Sequence, residues 1–352
     1  MYSLVFGDHI PPISIAAEKA ALERWAKIAK PLGGLGLLED AVTQIAGITG
    51  NAKYTIEKRA LLILCSDNGV VSQGVTQTGS DITATLVKNA VSGSLTVSKM
   101  AKVASCDVMA VDMGINKKLP LDALINCRIA DGTFDISQGS AMTRDQALQA
   151  IDYGIGLAKM AGEKGNKILC TGEVGIGNTT TSSAIAAVLL GKEVEAVTGR
   201  GAGLSSDGLN RKIAAIKQAL KINCPDRDDV IDILSKLGGF DIAGLCGVFI
   251  GAAINRIPVL LDGFISCVAA LCAIKLCPEA RQVMLASHVS AEPAGAMVLE
   301  ALGRKPLINA AMRVGEGTGA VAALPLLDMA FAVYGEMQTF EEVSIESYKP
   351  LK

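Results

Sequence analysis

Aromatic side chains are scarce in this chain: 4% of its 352 residues are Phe, Tyr or Trp, with a single Trp. A core with so few rings is packed from small and aliphatic side chains. The 37 glycines and 50% hydrophobic content then fit closely packed helices over a buried α/β sheet, and exclude a disordered chain. Charge is scarce too, at 19% with a net −2, so no basic surface is present to attract nucleic acid or an anionic membrane. The apolar runs at 242–255 and 263–274 are shorter than the ~18–20 residues of a membrane span. Asn255, Arg256, Asp262 and Lys275 interrupt them. The opening MYSLVFGDHIPP has neither the basic stretch nor the apolar core of a secretion signal. The nine cysteines are odd in number and contain no C-x-x-C pair; Cys267, Cys272 and Cys277 recur every five residues with no His or acid between them. Buried free thiols in a reducing cytoplasm follow, with no metal site expected.

What is present centres on 171–183, TGEVGIGNTTTSS. It follows a short apolar run and opens into the apolar stretch 184–191, the order strand, glycine-rich turn, helix. Gly172, Gly175 and Gly177 allow consecutive N–H groups to face one point, and Thr179, Thr180 and Thr181 add hydroxyls at a helix N-terminus that already favours an anion. The outline is that of a P-loop, except that Asn178 stands where the phosphate-bridging Lys belongs. The glycines run G-x-x-G-x-G, which is not the dinucleotide fingerprint either. Two readings fit the glycines alone: a cradle for a single phosphate monoester, or a tight turn that binds nothing.

Around this turn the chain divides by texture. Ser14 caps an expected helix to about Lys30, and a second helix covers 37–48; both precede any strand and suggest a small helical subdomain. From Arg59 strands and helices alternate: strand 60–65, a helix over 83–104, strand 107–111, a helix over 143–161. That alternation predicts a mainly parallel sheet with ligands at the carboxyl ends of its strands. A second glycine turn, 198–204, leads into a helix over 206–222 that carries Lys212, which by itself reads as a solvated charge. The strand-like runs 257–261 and 283–286 deliver Asp262, His288 and Ser290 at their ends; a lone His there reads as structural, not as the base. Finally Glu316 stands between Gly315 and Gly317 before the apolar helix 320–332. It fits either a partly desolvated general base or an acid stabilised by the helix dipole.

Taken together, PLGGLGLLEDAVTQIAGITG, SDNGVVSQGV, GTFDISQGSAMT, TGEVGIGNTTTSS, TGRGAGL, LGGFDIAGLCG, RIPVLLDGF, HVSAEP and RVGEGTGA resemble the nicotinate-nucleotide:dimethylbenzimidazole phosphoribosyltransferase family of cobalamin lower-loop assembly. The resemblance runs from about residue 31 to 328. It implies a Rossmann-like, mainly parallel α/β domain at 59–328 and a small three-helix domain built from residues 1–58 and 329–352. It implies a dimer, and a transfer of 5-phosphoribosyl from nicotinate mononucleotide to an aromatic base without any cofactor. By the same resemblance Glu316 is the base and Glu173 the acid near the ribose. Gly175, Gly177, Asn178, Thr179, Gly201, Gly203 and Lys212 hold the phosphoribosyl group, with Asp262 and Ser290 lining the pocket. The chemistry agrees: a pyridinium leaves as a neutral ring, so no pyrophosphate-holding metal is called for, and an imidazole acceptor must surrender a proton to a carboxylate.

On the acceptor side the sequence departs from the family. Thr78-Gly79 replaces an aromatic-Pro pair, and Thr85-Leu86 stands where the family has Gln-Met; Val314 completes this wall. Asn68 replaces a His, and Ala294-Gly295 a Gly-His pair. These changes imply an altered acceptor: a benzimidazole, a purine, or a phenol such as p-cresol. The phenol-activating relatives pair two unlike subunits, which leaves a homodimer, a heterodimer with a similar chain and a non-catalytic subunit as alternatives. A degenerate P-loop nucleotide-binding protein is the reading from another class.

Overall fold

The computed structural model describes residues 10–348. Helices α1 (Ile15–Lys27) and α2 (Leu37–Thr49) come first. The sheet then begins with β1 (Arg59–Ser66), followed by α3 (Asp81–Val91), α4 (Thr96–Val103), β2 (Cys106–Gly114) and the two-residue β3 (Ile125–Asn126). After α5 (Arg144–Glu163) come β4 (Ile168–Val174), α6 (Asn178–Leu190), α7 (Val194–Val197), α8 (Ser206–Asn223), α9 (Val230–Leu237) and α10 (Phe240–Ile254). The chain continues through β5 (Val259–Leu261), α11 (Phe264–Leu276), β6 (Met284–Ala286), α12 (Gly295–Leu302) and α13 (Thr318–Glu336).

Every strand pair is parallel, and the spatial order is β3-β2-β1-β4-β5-β6. The order reverses between β1 and β4. The loops leaving those two strands diverge to opposite sides, which opens a crevice at their carboxyl ends. All eight residues of β1 are buried, as an ALLILC run covered by helices on both faces must be. α10 is buried around almost its whole circumference and packs on α5. Small residues make that approach possible: a Cβ on Gly247 would collide with the backbone of Ile151. The scarcity of aromatics thus corresponds to helices packed nearly backbone to backbone.

A second, separate apolar cluster joins both ends of the chain: Ala21, Trp25 and Ile28 from the first helical segment, Val42 and Ala46 from α2, Ala330 and Tyr334 from α13. Arg24 holds the far end by donating to the carbonyls of Tyr334 (3.0 Å) and Met337 (2.7 Å). α13 passes unbroken through position 328, where Asp328 receives a two-pronged hydrogen bond from buried Arg59 (2.6 and 3.0 Å). By length and composition α13 is the one helix among the described residues that could cross a membrane, yet half of its apolar window is buried here.

Three expectations need correction. The helix expected over 83–104 is two helices, because Gly93 at φ +73° ends the first and Ser94 N–H returns to the Asn89 carbonyl at 2.7 Å. The first helix stops at Lys27 rather than near Lys30, since Ile28 turns extended and bridges Thr339. Eight of the nine cysteines are buried, but Cys224 is exposed at the left-handed end of α8.

Candidate active site

One cleft lies over the carboxyl ends of the strands, and the loops after β1, β4, β5 and β6 meet there with the 200–204 and 313–316 turns. Of the residues picked out from the sequence, Glu173, Gly175, Gly177, Asn178, Thr179, Gly201, Asp262, Ser290 and Glu316 line it, as do Thr78, Leu86 and Val314. Gly203, Lys212, Gly79 and Thr85 do not. Gly203 sits just beyond the lining residue Ala202, with its carbonyl taken by the Gln77 amide. Thr85 lies on the exposed face of α3, one position before Leu86, and helical spacing alone turns the two side chains about 100° apart.

One end of the cleft is built on α6, with α8 behind it. Gly177, at φ +96°, turns the chain into α6 and offers no side chain to the helix; the Asn178 N–H donates to the Gly175 carbonyl (3.0 Å) and the Thr180 N–H to that of Gly177 (2.9 Å), which leaves the Thr179 amide to an anion. Lys212, which by itself reads as a solvated charge and by the resemblance belongs to the phosphoribosyl pocket, is fully buried, and its ammonium reaches under the turn to the Thr179 hydroxyl (2.9 Å) and the Gly199 carbonyl (3.1 Å). Burial pushes its pKa down from 10.5 to about 8, with Glu292 opposing the shift. α8 supplies the cation that the first turn lacks.

Behind the turn three side chains interlock. The Asn178 amide donates to the Glu173 carboxylate and to Asp241 Oδ2 (2.9 Å). Glu173 and Asp241 are both buried and repel each other; burial first, and that repulsion with it, drives Glu173 well above the usual carboxylate range. Burial likewise raises Asp241 from 3.8 to about 6, against the hydrogen bonds from Asn178 and Ile242. Asp241 was missed in the sequence, where an acid opening an apolar helix reads as a dipole acid. Glu292 was missed as well: it lines the cleft, and its Oε2 is buried without a hydrogen-bond partner among the described residues.

Glu316 enters the same cleft from the 313–316 turn. It has φ +62° between Gly315 at +79° and Gly317 at +94°, three consecutive left-handed residues of which one carries a side chain. Such a conformation is costly for a non-glycine residue, so the surrounding structure must hold it in place. Its Oε2 accepts the Val97 N–H at 3.2 Å, at the N-terminus of α4. Burial raises its pKa above 4.5, Asp262 adds to the rise, and the amides of Val97 and Thr96 counter it. His288 is buried, its Nδ1 lies 3.1 Å from the Ser287 hydroxyl, and burial holds its pKa low.

A parallel sheet of this order, with one cleft at the strand ends lined by a helix N-terminus that a buried lysine backs and by a half-buried carboxylate, defines the class as an α/β enzyme. The family model described as Phosphoribosyltransferase matches residues 10–345. The chain belongs to the nicotinate-nucleotide–dimethylbenzimidazole phosphoribosyltransferase family. The enzyme of that name from Acetivibrio thermocellus is 46% identical over 327 residues, covering 93% of each chain. Its counterpart from Ruminiclostridium cellulolyticum is 45% identical over 345 residues, covering 98% of each. The crystal structure of CobT from Thermus thermophilus superposes with a TM-score of 0.89 at 33% identity, covering 95% of this chain and 100% of that one.

Proposed function

We propose that this protein transfers the 5-phosphoribosyl group of nicotinate mononucleotide to an aromatic nitrogen base, dimethylbenzimidazole in the first instance, for cobamide lower-ligand synthesis in the cytoplasm. The observation that carries the reading is one cleft lined both by Gly177, Asn178 and Thr179 at the start of α6, with Lys212 buried behind Thr179, and by Glu316. The 5′-phosphate sits at the Thr179 amide and the glycine turn 199–203, with Lys212 beneath supplying the countercharge. The ribose then crosses the cleft beside Glu173 and Asn178.

In the transfer, the C1′–N bond breaks with its electron pair moving to the pyridinium nitrogen, and nicotinate leaves with a neutral ring. The acceptor's unprotonated ring nitrogen forms the new bond from the opposite face, which gives the α-ribotide. The proton on its other nitrogen passes to Glu316, whose raised pKa makes it a stronger base than an ordinary carboxylate. Thr78, Leu86 and Val314 line the acceptor side, a wall with two aliphatic chains and a single hydroxyl. We place the protein in the cell as a dimer, of two like chains or with a similar partner.

The test is to incubate purified protein with nicotinate mononucleotide and, separately, dimethylbenzimidazole, adenine, phenol and p-cresol, following nicotinate release and the ribotide formed. Release with dimethylbenzimidazole, slowed by about 10²–10⁴ in Glu316→Gln, is expected. No release with any acceptor sinks the reading.

A further inference from the structure

Asp262 follows β5 directly and is 2% exposed. Each hydrogen bond its carboxylate accepts comes from the segment that carries Glu316. Oδ2 accepts the Gly317 N–H at 3.1 Å; Oδ1 accepts those of Gly319 at 2.8 Å and Ala320 at 3.4 Å. These are the first amides of α13, whose N-cap is a glycine with no side chain to satisfy them. The turn needs an anchor, because Gly315, Glu316 and Gly317 all hold positive φ. Asp262 is itself held from behind: its N–H donates to the Thr171 hydroxyl at 3.4 Å, and that hydroxyl pairs with Ser266 at 2.6 Å. On the other side the His288 ring fills the space over Gly319, where a Cβ would collide with it.

We propose that Asp262 is a positioning residue for the transfer reaction: it clamps the left-handed Gly315–Gly317 turn onto the end of β5, so that the Glu316 carboxylate stays at the N-terminus of α4 and faces the cleft. This rests on the reading of Glu316 as the base. With both its oxygens occupied by backbone amides, Asp262 acts on the substrate through Glu316. It acts by charge as well as by geometry. The groups facing Glu316 are Asp262, Glu173 from β4, and the amides of Thr96 and Val97 at α4; His288 faces Asp262. The two carboxylates oppose ionisation of Glu316 and the amides favour it, so removing the charge of Asp262 lets Glu316 ionise at lower pH.

The experiment measures nicotinate release from nicotinate mononucleotide with dimethylbenzimidazole, across pH, for wild type, Asp262→Asn, Glu316→Gln and the double variant. Asp262→Asn is expected to lower kcat by roughly tenfold to a hundredfold, the effect of a small misplacement of a reacting group. The KM for nicotinate mononucleotide should stay within about twofold, because the clamp does not touch the phosphoribosyl group. The acid limb of kcat moves to lower pH, and the double variant is no slower than Glu316→Gln alone. A raised KM with kcat kept, an unmoved acid limb, or additive losses in the double variant overturns the clamp. Calorimetric binding of nicotinate mononucleotide certifies the fold of each variant. Should Asp262→Asn fail to bind, Asp262→Glu keeps the charge and shifts the carboxylate. There, a lower kcat with an unmoved acid limb supports the clamp, and an unchanged kcat overturns it. A full-rate Glu316→Gln overturns the base and the clamp together.

Discussion

The ammonium of Lys212 lies 2.9 Å from the Thr179 hydroxyl, with no part of the residue exposed to solvent. Its second hydrogen bond is to another neutral oxygen, the Gly199 carbonyl, at 3.1 Å. A buried cation whose hydrogen bonds go to neutral oxygens is destabilised, with Glu292 opposing that in part, and on the proposed function a bound phosphate would relieve it. This makes binding depend on the protonation of one lysine.

Affinity for nicotinate mononucleotide should therefore weaken as pH rises through about 8, where Lys212 loses its proton. The ligand-free protein should behave in the opposite sense. The unfolded chain keeps this proton up to 10.5 and the folded one only to about 8, so this group's contribution to stability rises with pH across that window. Calorimetric titration and thermal melts between pH 7 and pH 10 check both. Lys212→Met should bind the nucleotide about 10–100-fold more weakly, the worth of a charge-assisted hydrogen bond, while melting no lower at pH 7 than wild type.

Glu316→Gln should lower kcat by about 10²–10⁴, the range for loss of a positioned general base, with the KM for nicotinate mononucleotide little changed. The carboxylate must be ionised to accept a proton and its pKa is raised above 4.5, so the wild-type rate should fall on acidification at a pH above that value. A rate profile flat down to pH 4.5 would contradict the assignment.

Gly172→Ala removes no functional group, yet a Cβ there would stand 2.5 Å from the Glu316 carbonyl oxygen and 2.9 Å from the Gly317 nitrogen. Both are backbone atoms of the strained turn and cannot swing aside as a flexible side chain would. The variant should lose about a hundredfold in kcat through displacement of the base, and should melt several degrees lower than wild type. Normal turnover in Gly172→Ala would show that the turn yields freely.

Asp241→Asn should flatten the pH dependence of stability between about pH 4 and 6. The folded-state pKa of Asp241 is raised from 3.8 to about 6, so wild type loses this group's contribution as pH climbs through that window. The Asn variant has no proton to lose there. Urea unfolding at pH 4.5 and pH 7 reads the difference: the wild-type midpoint should drop between the two, and the variant midpoint should drop less.

Much of this architecture was open to a reading of the sequence, for a local reason. A strand such as ALLILC and a following glycine turn are specified by neighbours in the chain, since periodicity and left-handed turns are set by sterics within a few residues. That is why the mainly parallel sheet, the glycine turn at 172–177 and the Glu316 turn were all visible. Helix ends were less so: the break at Gly93 falls inside a stretch of otherwise helical pattern, and the early stop at Lys27 depends on a bridge from Ile28 to Thr339, at the far end of the chain.

Burial and partnership are properties of the folded chain, and there the sequence was silent. Lys212 reads as a solvated charge because nothing within α8 distinguishes it; only packing against the 199–203 turn removes it from water and makes it part of the site. Asp241 and Asn178 are 63 positions apart, and Asp262 and Gly319 are 57 apart. The sequence by itself determined the sheet, its glycine turns and the kinds of side chain at their ends. Tertiary structure alone decided which carboxylates share an amide, which lysine loses its water, and which aspartate holds the turn after Glu316, because those effects come from desolvation and contact between segments remote in the chain.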